Sequence, residues 1–283
     1  MKLVAAISIV LTASPVFAQT PAADPHAGHA MEAQQPAAAA QPRNANLPPD
    51  NAAAPEQLKS SPRHVDWVDV KGSNGTPIKA FVVYPERKDK APVVIVVHEI
   101  FGLSDWIRGV ADQLAKEGFI AVAPDFLSGM GPNKGGSQEL GEQGSTRAIG
   151  GVSDDDKVRI LNDVRTWALT IPSANGKVGA VGFCWGGGTT FLWARKQPAL
   201  NAAVSYYGPM PSDPAEFANT KAPVLGLYGG NDARVGATLD ATKAKMKELG
   251  KSYEPHVFDG AGHGFLRAQD GEDGANLRAA KEA

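Results

Sequence analysis

The chain has 283 residues, a formal net charge of −2 at pH 7 and 20% charged residues. This length is sufficient for one sizeable domain with its own hydrophobic core. The near-neutral charge provides no basic surface for nucleic acid and no polybasic patch for an anionic membrane. Composition therefore favours neither of these partners.

The N-terminal residues predict export. Lys2 precedes an almost unbroken apolar run at residues 3–16, and Val16-Phe17-Ala18 offers small residues at the positions that a signal peptidase reads. The run is too short for a comfortable transmembrane helix, although an uncleaved membrane anchor is the alternative. We therefore expect residues 1–18 to be a signal peptide. The mature protein is then periplasmic or secreted, with no membrane association after cleavage.

Residues 19–61 form a low-complexity segment that is rich in Ala and Pro. They contain almost no large apolar residues, so they cannot bury enough surface to offset the loss of chain entropy. This composition predicts a disordered tether. His26 and His29 in the tether could hold a soft metal loosely, but we interpret them as part of a solvated linker, because a flexible site must also be ordered on binding.

The remaining residues, 62–283, predict one folded domain in which strands alternate with helices. An opening β-hairpin is expected at 64–70 and 78–84, and buried strands at 92–97, 119–123, 177–183, 202–207, 223–228 and 253–258. Helices are expected between Ser104 and Gly118, from 154 to about 168, and at 187–196, 237–249 and 276–283. The long polar, Gly-rich stretch at 128–153 suggests a lid or pocket wall. The alternation predicts an α/β fold with a mostly parallel central sheet and helices on both faces.

The sharpest motif is Gly-Phe-Cys-Trp-Gly-Gly at residues 182–187, between a predicted strand and a predicted helix. It matches the nucleophile elbow of the α/β-hydrolase fold, G-x-S-x-G, with Cys184 in the nucleophile position. Glycines are needed there because a side chain two residues from the nucleophile would collide with the tight turn. Cys184 is the only cysteine, so it cannot form an intrachain disulfide and is either inert core or a functional free thiol.

An acid and a base follow the elbow in the chain order that this fold uses. Asp232 lies in a glycine turn after one predicted strand, and His263 lies in a loop after the last. Taken singly, Asp232 could be a turn cap and His263 a surface residue. The ends of parallel strands lie along one edge of a sheet, however, so we expect Cys184, Asp232 and His263 to converge as a catalytic triad.

These segments resemble the dienelactone hydrolase family, the cysteine-nucleophile branch of the α/β-hydrolases. The resemblance extends from about Trp67 to the C-terminus. It depends on His-Glu-Ile-Phe-Gly at 98–102, Pro-Asp at 124–125, the elbow at 182–187, Asn-Asp at 231–232 and His-Gly-Phe-Leu-Arg at 263–267.

The resemblance implies roles for five further residues. Glu99 is expected beside the thiol, where it takes part in activation. The backbone N–H groups of Ile100 and Trp185 are expected to form the oxyanion hole. Arg267 is expected to bind a substrate carboxylate, and Arg147 is the candidate for a second carboxylate-binding arginine.

Together, these features predict a carboxylic ester hydrolase that cleaves a small ester or lactone through a thioester on Cys184. The substrate is expected to be similar to dienelactone (carboxymethylenebutenolide), with a free carboxylate as an option. No metal and no organic cofactor is needed. Two alternatives stay open: a Cys-dependent thioesterase, acyltransferase or peptidase on the same fold, and a non-enzymatic exported binding protein.

Overall fold

The computed structural model describes residues 46–211 and 214–283. The predicted signal peptide, His26, His29 and residues 19–45 of the predicted tether lie outside this part of the chain. Within the described residues, no helix has both the length and the apolar character needed to cross a membrane.

An eight-stranded sheet forms the centre of the domain, with the strand order β1-β2-β4-β3-β5-β6-β7-β8. The strands are β1 (Val65–Val70), β2 (Ile78–Val83), β3 (Ala91–Val97), β4 (Ile120–Pro124), β5 (Ala174–Phe183), β6 (Ala202–Tyr206), β7 (Val224–Gly229) and β8 (Tyr253–Phe258). The pairs β1–β2 and β2–β4 are antiparallel, and all other pairs are parallel. The predicted opening hairpin and mostly parallel sheet are confirmed.

Helices cover the sheet. They are α1 (Ala54–Ser60), α2 (Asp105–Lys116), α3 (Ser137–Ala148), α4 (Asp154–Ala168), α5 (Trp185–Lys196), α6 (Ala233–Gly236), α7 (Leu239–Glu248) and α8 (Ala275–Glu282). Every residue of β4 is buried. Because successive side chains of a strand point to opposite faces, the centre of the sheet must be covered on both sides. The helix expected at 237–249 corresponds to α7, and the short α6 before it was not predicted.

The Gly-rich stretch at 128–153 contains more regular structure than its composition suggests. It includes α3, whose first residue is tied to the end of the central sheet. The Ser137 backbone N–H donates to Asp125 Oδ2 (2.7 Å), and the Ser137 hydroxyl donates to Asp125 Oδ1 (2.6 Å). These bonds are long-range contacts, which helical periodicity does not reveal.

The part of the predicted tether that the structure describes, residues 46–61, contains a helix and contacts the domain. Helix α1 lies against α2 and buries Ala54 completely. The Trp106 indole donates to the carbonyl of Pro49 (2.9 Å). Pro49 also lies so close to Gly109 that a Cβ there would be 2.6 Å from its ring. Prolines and alanines fit this tight contact, so composition underestimated the burial of the segment.

Candidate active site

Cys184 lies on a sharp turn between β5 and α5. Its backbone angles are φ 54° and ψ −118°, a strained conformation for a residue with a side chain. A Cβ at Gly182 would lie 2.0 Å from the Gly186 carbonyl oxygen, and a Cβ at Gly186 would lie 2.3 Å from that of Val97. The two glycines are therefore required by close backbone approach, as the elbow motif predicts. The Cys184 side chain is buried.

Asp232 and His263 lie directly after β7 and β8. His263 Nδ1 is 2.5 Å from Asp232 Oδ2. Asp232 is itself fixed as the N-cap of α6, where its Oδ1 accepts from the Val235 N–H (3.3 Å). The Cys184 side chain lies close enough to His263 to raise the pKa of its imidazole. The structure thus brings together the three residues that the chain order predicted as a triad.

The imidazole of His263 is a strong base in this setting. Burial lowers the pKa of His263, but its hydrogen bonds to Asp232 and Cys184, together with their charges, outweigh burial and raise the pKa to about 9. Burial raises the pKa of Asp232, but the hydrogen bond and charge of His263 outweigh it and hold that pKa below its usual range. Around neutral pH, Asp232 is therefore ionised beside an imidazole that readily binds a proton.

Glu99 forms an ion pair with Arg267. Its Oε2 lies 2.9 Å from Arg267 Nε, and the Glu99 side chain is 3% exposed. Burial raises the pKa of Glu99, while the charges of Arg267 and His263 act in the opposite direction. Glu99 was expected beside the thiol, whereas the contact that the structure shows is with Arg267. A substrate carboxylate that binds Arg267 must therefore compete with Glu99.

The two expected oxyanion donors lie on either side of the elbow. Ile100 follows β3, and Trp185 opens α5 directly after Cys184. The first N–H groups of a helix have no intrahelical acceptor, so the Trp185 N–H is left available by secondary structure. Both residues are buried, which excludes water from competing for their donors.

The sequence predicts no role for His98, yet its contacts fix the peptide group that carries the Ile100 N–H. Its Nδ1 lies 2.7 Å from the Glu99 carbonyl oxygen, and this carbonyl belongs to the same peptide group as the Ile100 N–H. Its Nε2 accepts from the Phe126 N–H (3.1 Å), which leaves the proton on Nδ1. The His98 ring also stacks on Trp185, with ring centroids 5.7 Å apart. His98 therefore fixes the predicted donor of Ile100 and packs on Trp185, which supplies the other predicted donor.

A cavity of about 450 Å³ lies beside the buried cluster. Arg267 lines this cavity and pairs with Glu99 of the buried cluster, whereas Cys184 and His263 are not among the lining residues. Its lining residues are Asn51, Trp67, Lys79, Phe101, Leu103, Ser104, Asp105, Arg108, Asp125, Ser137, Gln138, Glu139, Gly141, Glu142 and Arg267. The Gly-rich stretch is thus a pocket wall, one of its two expected roles. Arg147 is exposed and does not line this cavity, so the structure does not bring it to Arg267.

The sheet order, the elbow after β5, and the acid and base after β7 and β8 define the α/β-hydrolase fold. The family model of the dienelactone hydrolase family matches residues 78–283. The chain belongs to this family and is a carboxylic ester hydrolase, which confirms the resemblance and the predicted class of enzyme.

Relatives and solved structures agree with this assignment. A "Putative carboxymethylenebutenolidase" of Salmonella typhimurium is 34% identical over 205 residues, which cover 68% of this chain and 75% of that protein. A "Probable 2-oxo-3-(5-oxofuran-2-ylidene)propanoate lactonase" of Bradyrhizobium is 31% identical over 216 residues, covering 71% of this chain and 84% of that protein. The crystal structure of a "Putative Dienelactone Hydrolase" from Klebsiella pneumoniae has a TM-score of 0.68 at 27% identity, covering 78% of this chain and 96% of that one.

Proposed function

We propose that this protein hydrolyses a small ester or lactone through a thioester on Cys184. The observation that carries the proposal is the placement of Cys184 on the strained elbow, beside the His263 imidazole, whose Nδ1 lies 2.5 Å from Asp232 Oδ2. Nucleophilic acyl transfer needs a nucleophile beside a base, and an ionised acid on the far side of that base. The Cys184 thiol, the His263 imidazole and the Asp232 carboxylate have this arrangement.

The proposed reaction has two stages, formation and hydrolysis of the thioester. His263 takes the thiol proton, and the sulfur of Cys184 attacks the carbonyl carbon. The N–H groups of Ile100 and Trp185 stabilise the negative oxygen of the tetrahedral intermediate, a contribution of about 3–4 kcal/mol for each donor. When the intermediate collapses, the C–O bond breaks and His263 gives its proton to the leaving oxygen. Water, deprotonated by His263, then cleaves the thioester, and the proton returns to the thiol.

The substrate class that we favour is a lactone or ester that carries a carboxylate. Arg267 lies where the cavity meets the buried cluster, and a guanidinium binds a carboxylate through two parallel hydrogen bonds. The names of two relatives, a carboxymethylenebutenolidase and a propanoate lactonase, support lactone chemistry. We also propose that residues 1–18 direct export and that the mature enzyme works in the periplasm or outside the cell.

Turnover by Cys184→Ala tests the nucleophile. The variant should lose hydrolysis of p-nitrophenyl acetate while its melting temperature stays close to that of the wild type, because only a small buried group is removed. A panel of an ester, a thioester and an amide with one shared acyl group separates the ester hydrolase from a thioesterase or a peptidase. Substantial activity in Cys184→Ala would overturn the proposal.

A further inference from the structure

Tyr207 is buried directly beside the catalytic residues, yet no motif marks it. It follows β6, and its ring lies edge-on to His263 (centroids 5.1 Å apart) and to Phe265 (5.4 Å). Its backbone has φ 39°, in the region that favours glycine. The N–H of Tyr207 donates to the Leu227 carbonyl (2.7 Å), which continues the β6–β7 ladder and helps to hold this conformation. Strain of this kind costs roughly 1–3 kcal/mol and concentrates at functional sites.

The hydroxyl of Tyr207 is a buried donor without an acceptor. Among the described residues it has no hydrogen-bond partner, although the side chain is fully buried. The phenol lies close enough to Glu99, Arg267 and Cys184 for their charges to affect its pKa, and its ring contacts that of His263. Burial, followed by the charge of Glu99, raises the pKa of Tyr207 well above its usual range. The group therefore stays protonated and remains a hydrogen-bond donor at neutral and moderately alkaline pH.

The unsatisfied hydroxyl costs free energy in the free enzyme, and this cost is recovered if the hydroxyl binds the substrate. The strained backbone is a second sign that this position is functional. The position of the hydroxyl indicates which substrate atom it binds. The carbonyl oxygen is expected at Ile100 and Trp185. The leaving oxygen must lie next to His263, which protonates it, and Tyr207 packs against His263.

We propose that Tyr207 is a further catalytic residue whose O–H donates a hydrogen bond to the leaving-group oxygen as the tetrahedral intermediate collapses. This inference rests on the proposed thioester mechanism. His263 still supplies the proton, and Tyr207 keeps its own, so the proton balance of the reaction does not change. The hydrogen bond matters most when the leaving oxygen is strongly basic, because that oxygen carries the most negative charge as the C–O bond breaks.

The test is the leaving-group dependence of Tyr207→Phe, which removes only the hydroxyl. One acyl group is presented with leaving groups from p-nitrophenol to a simple alcohol, and kcat/KM is compared with the wild type because it reports acylation. We expect a loss of about tenfold to a hundredfold for the alkyl ester and little loss for the p-nitrophenyl ester. The melting temperature should be unchanged or higher, since an unsatisfied group is removed.

Tyr228→Phe is the matched control. Tyr228 is equally buried, but its hydroxyl already pairs with that of Tyr253 (3.0 Å). This variant should lose stability and keep the wild-type leaving-group dependence.

Three results would overturn the inference. An equal loss for all leaving groups would place the hydroxyl on the carbonyl oxygen. No loss for the alkyl ester would mean that the Tyr207 hydroxyl does not contact the substrate. Alkylation of the thiol by iodoacetamide has no leaving oxygen of this type. If Tyr207→Phe slows this reaction too, Tyr207 acts by positioning Cys184 and His263. If Cys184→Ala abolishes turnover while one of these results is found, only the role of Tyr207 fails.

Discussion

Removing the guanidinium of Arg267 should leave Glu99 as an uncompensated charge in the protein interior. The two side chains are 26% and 3% exposed, and their closest atoms are 2.9 Å apart. Breaking a buried ion pair by removing one partner costs about 3–5 kcal/mol. Because Arg267 is partly exposed, we expect Arg267→Met to lose about 3 kcal/mol of unfolding free energy at pH 8, the lower end of that range.

The loss should shrink as the pH falls. Burial already raises the pKa of Glu99, and the charge of Arg267 is the largest opposing effect. Without Arg267, the folded-state pKa of Glu99 rises further above its unfolded value of about 4.3. The folded variant then binds a proton more readily than the unfolded chain, so its stability is highest at low pH and falls as the pH rises towards the folded-state pKa.

Urea unfolding followed by tryptophan fluorescence at pH 5, 6.5 and 8 measures this effect. The double variant Glu99→Gln/Arg267→Met has no buried charge at this site, so it should be more stable than Arg267→Met at pH 8 and should lack the extra pH dependence. Arg108→Met is the matched control. Its half-exposed Asp105 partner lies one helical turn away, and such a pair contributes at most about 1 kcal/mol.

The reasoning fails if Arg267→Met is destabilised equally at pH 5 and pH 8. It also fails if the double variant is no more stable than the single one. Either result would mean that Glu99 is not an ionised partner of Arg267 in the folded enzyme.

Two further predictions concern the surroundings of the site. A chain that begins at residue 46 should match the mature protein in stability and turnover, whereas one that begins at residue 62 should lose both. The reason is that the Asn51 backbone N–H donates to the Arg267 carbonyl (3.0 Å) and α1 packs on α2. Equal thermal melts and kinetics for the two chains would contradict this prediction. His98→Leu should slow acylation by an ester at least tenfold and leave iodoacetamide alkylation of the thiol unchanged, since only acylation develops an oxyanion. His98→Asn, which keeps a donor near Nδ1, should lose less, and equal losses in the two variants would count against the hydrogen bond to Glu99.

Local patterns in the sequence predicted the central sheet and brought out the residues of the candidate active site. Strands β3, β5 and β7 are apolar runs bounded by turn residues, and this signal is local. The elbow glycines mark a steric requirement, so Cys184 could be located from its neighbours alone. Asp232 and His263 could then be assigned because the ends of parallel strands lie at one edge of the sheet.

The parts that sequence reasoning missed depend on contacts between distant residues. Helix α3 has few apolar residues and begins where Asp125 binds Ser137. The pairing of Glu99 with Arg267 depends on how two loops meet, which spacing does not encode. Tyr207 follows an apolar strand, which predicts a core residue. Its unsatisfied hydroxyl and its positive φ distinguish it from Tyr228, the other buried tyrosine among the described residues.

The thioester on Cys184 is tested most directly by trapping it. The enzyme is mixed with an excess of p-nitrophenyl acetate, quenched in acid during turnover and digested for mass spectrometry. Since the chain has a single cysteine, only one peptide can carry a thioester, and an alkylated control reports its free form. Our account predicts an acetyl group on the peptide that contains Cys184 and a slower decay of that adduct in His263→Ala, because water then lacks its base. An acetyl group on a serine or lysine with Cys184 unmodified during turnover would contradict it.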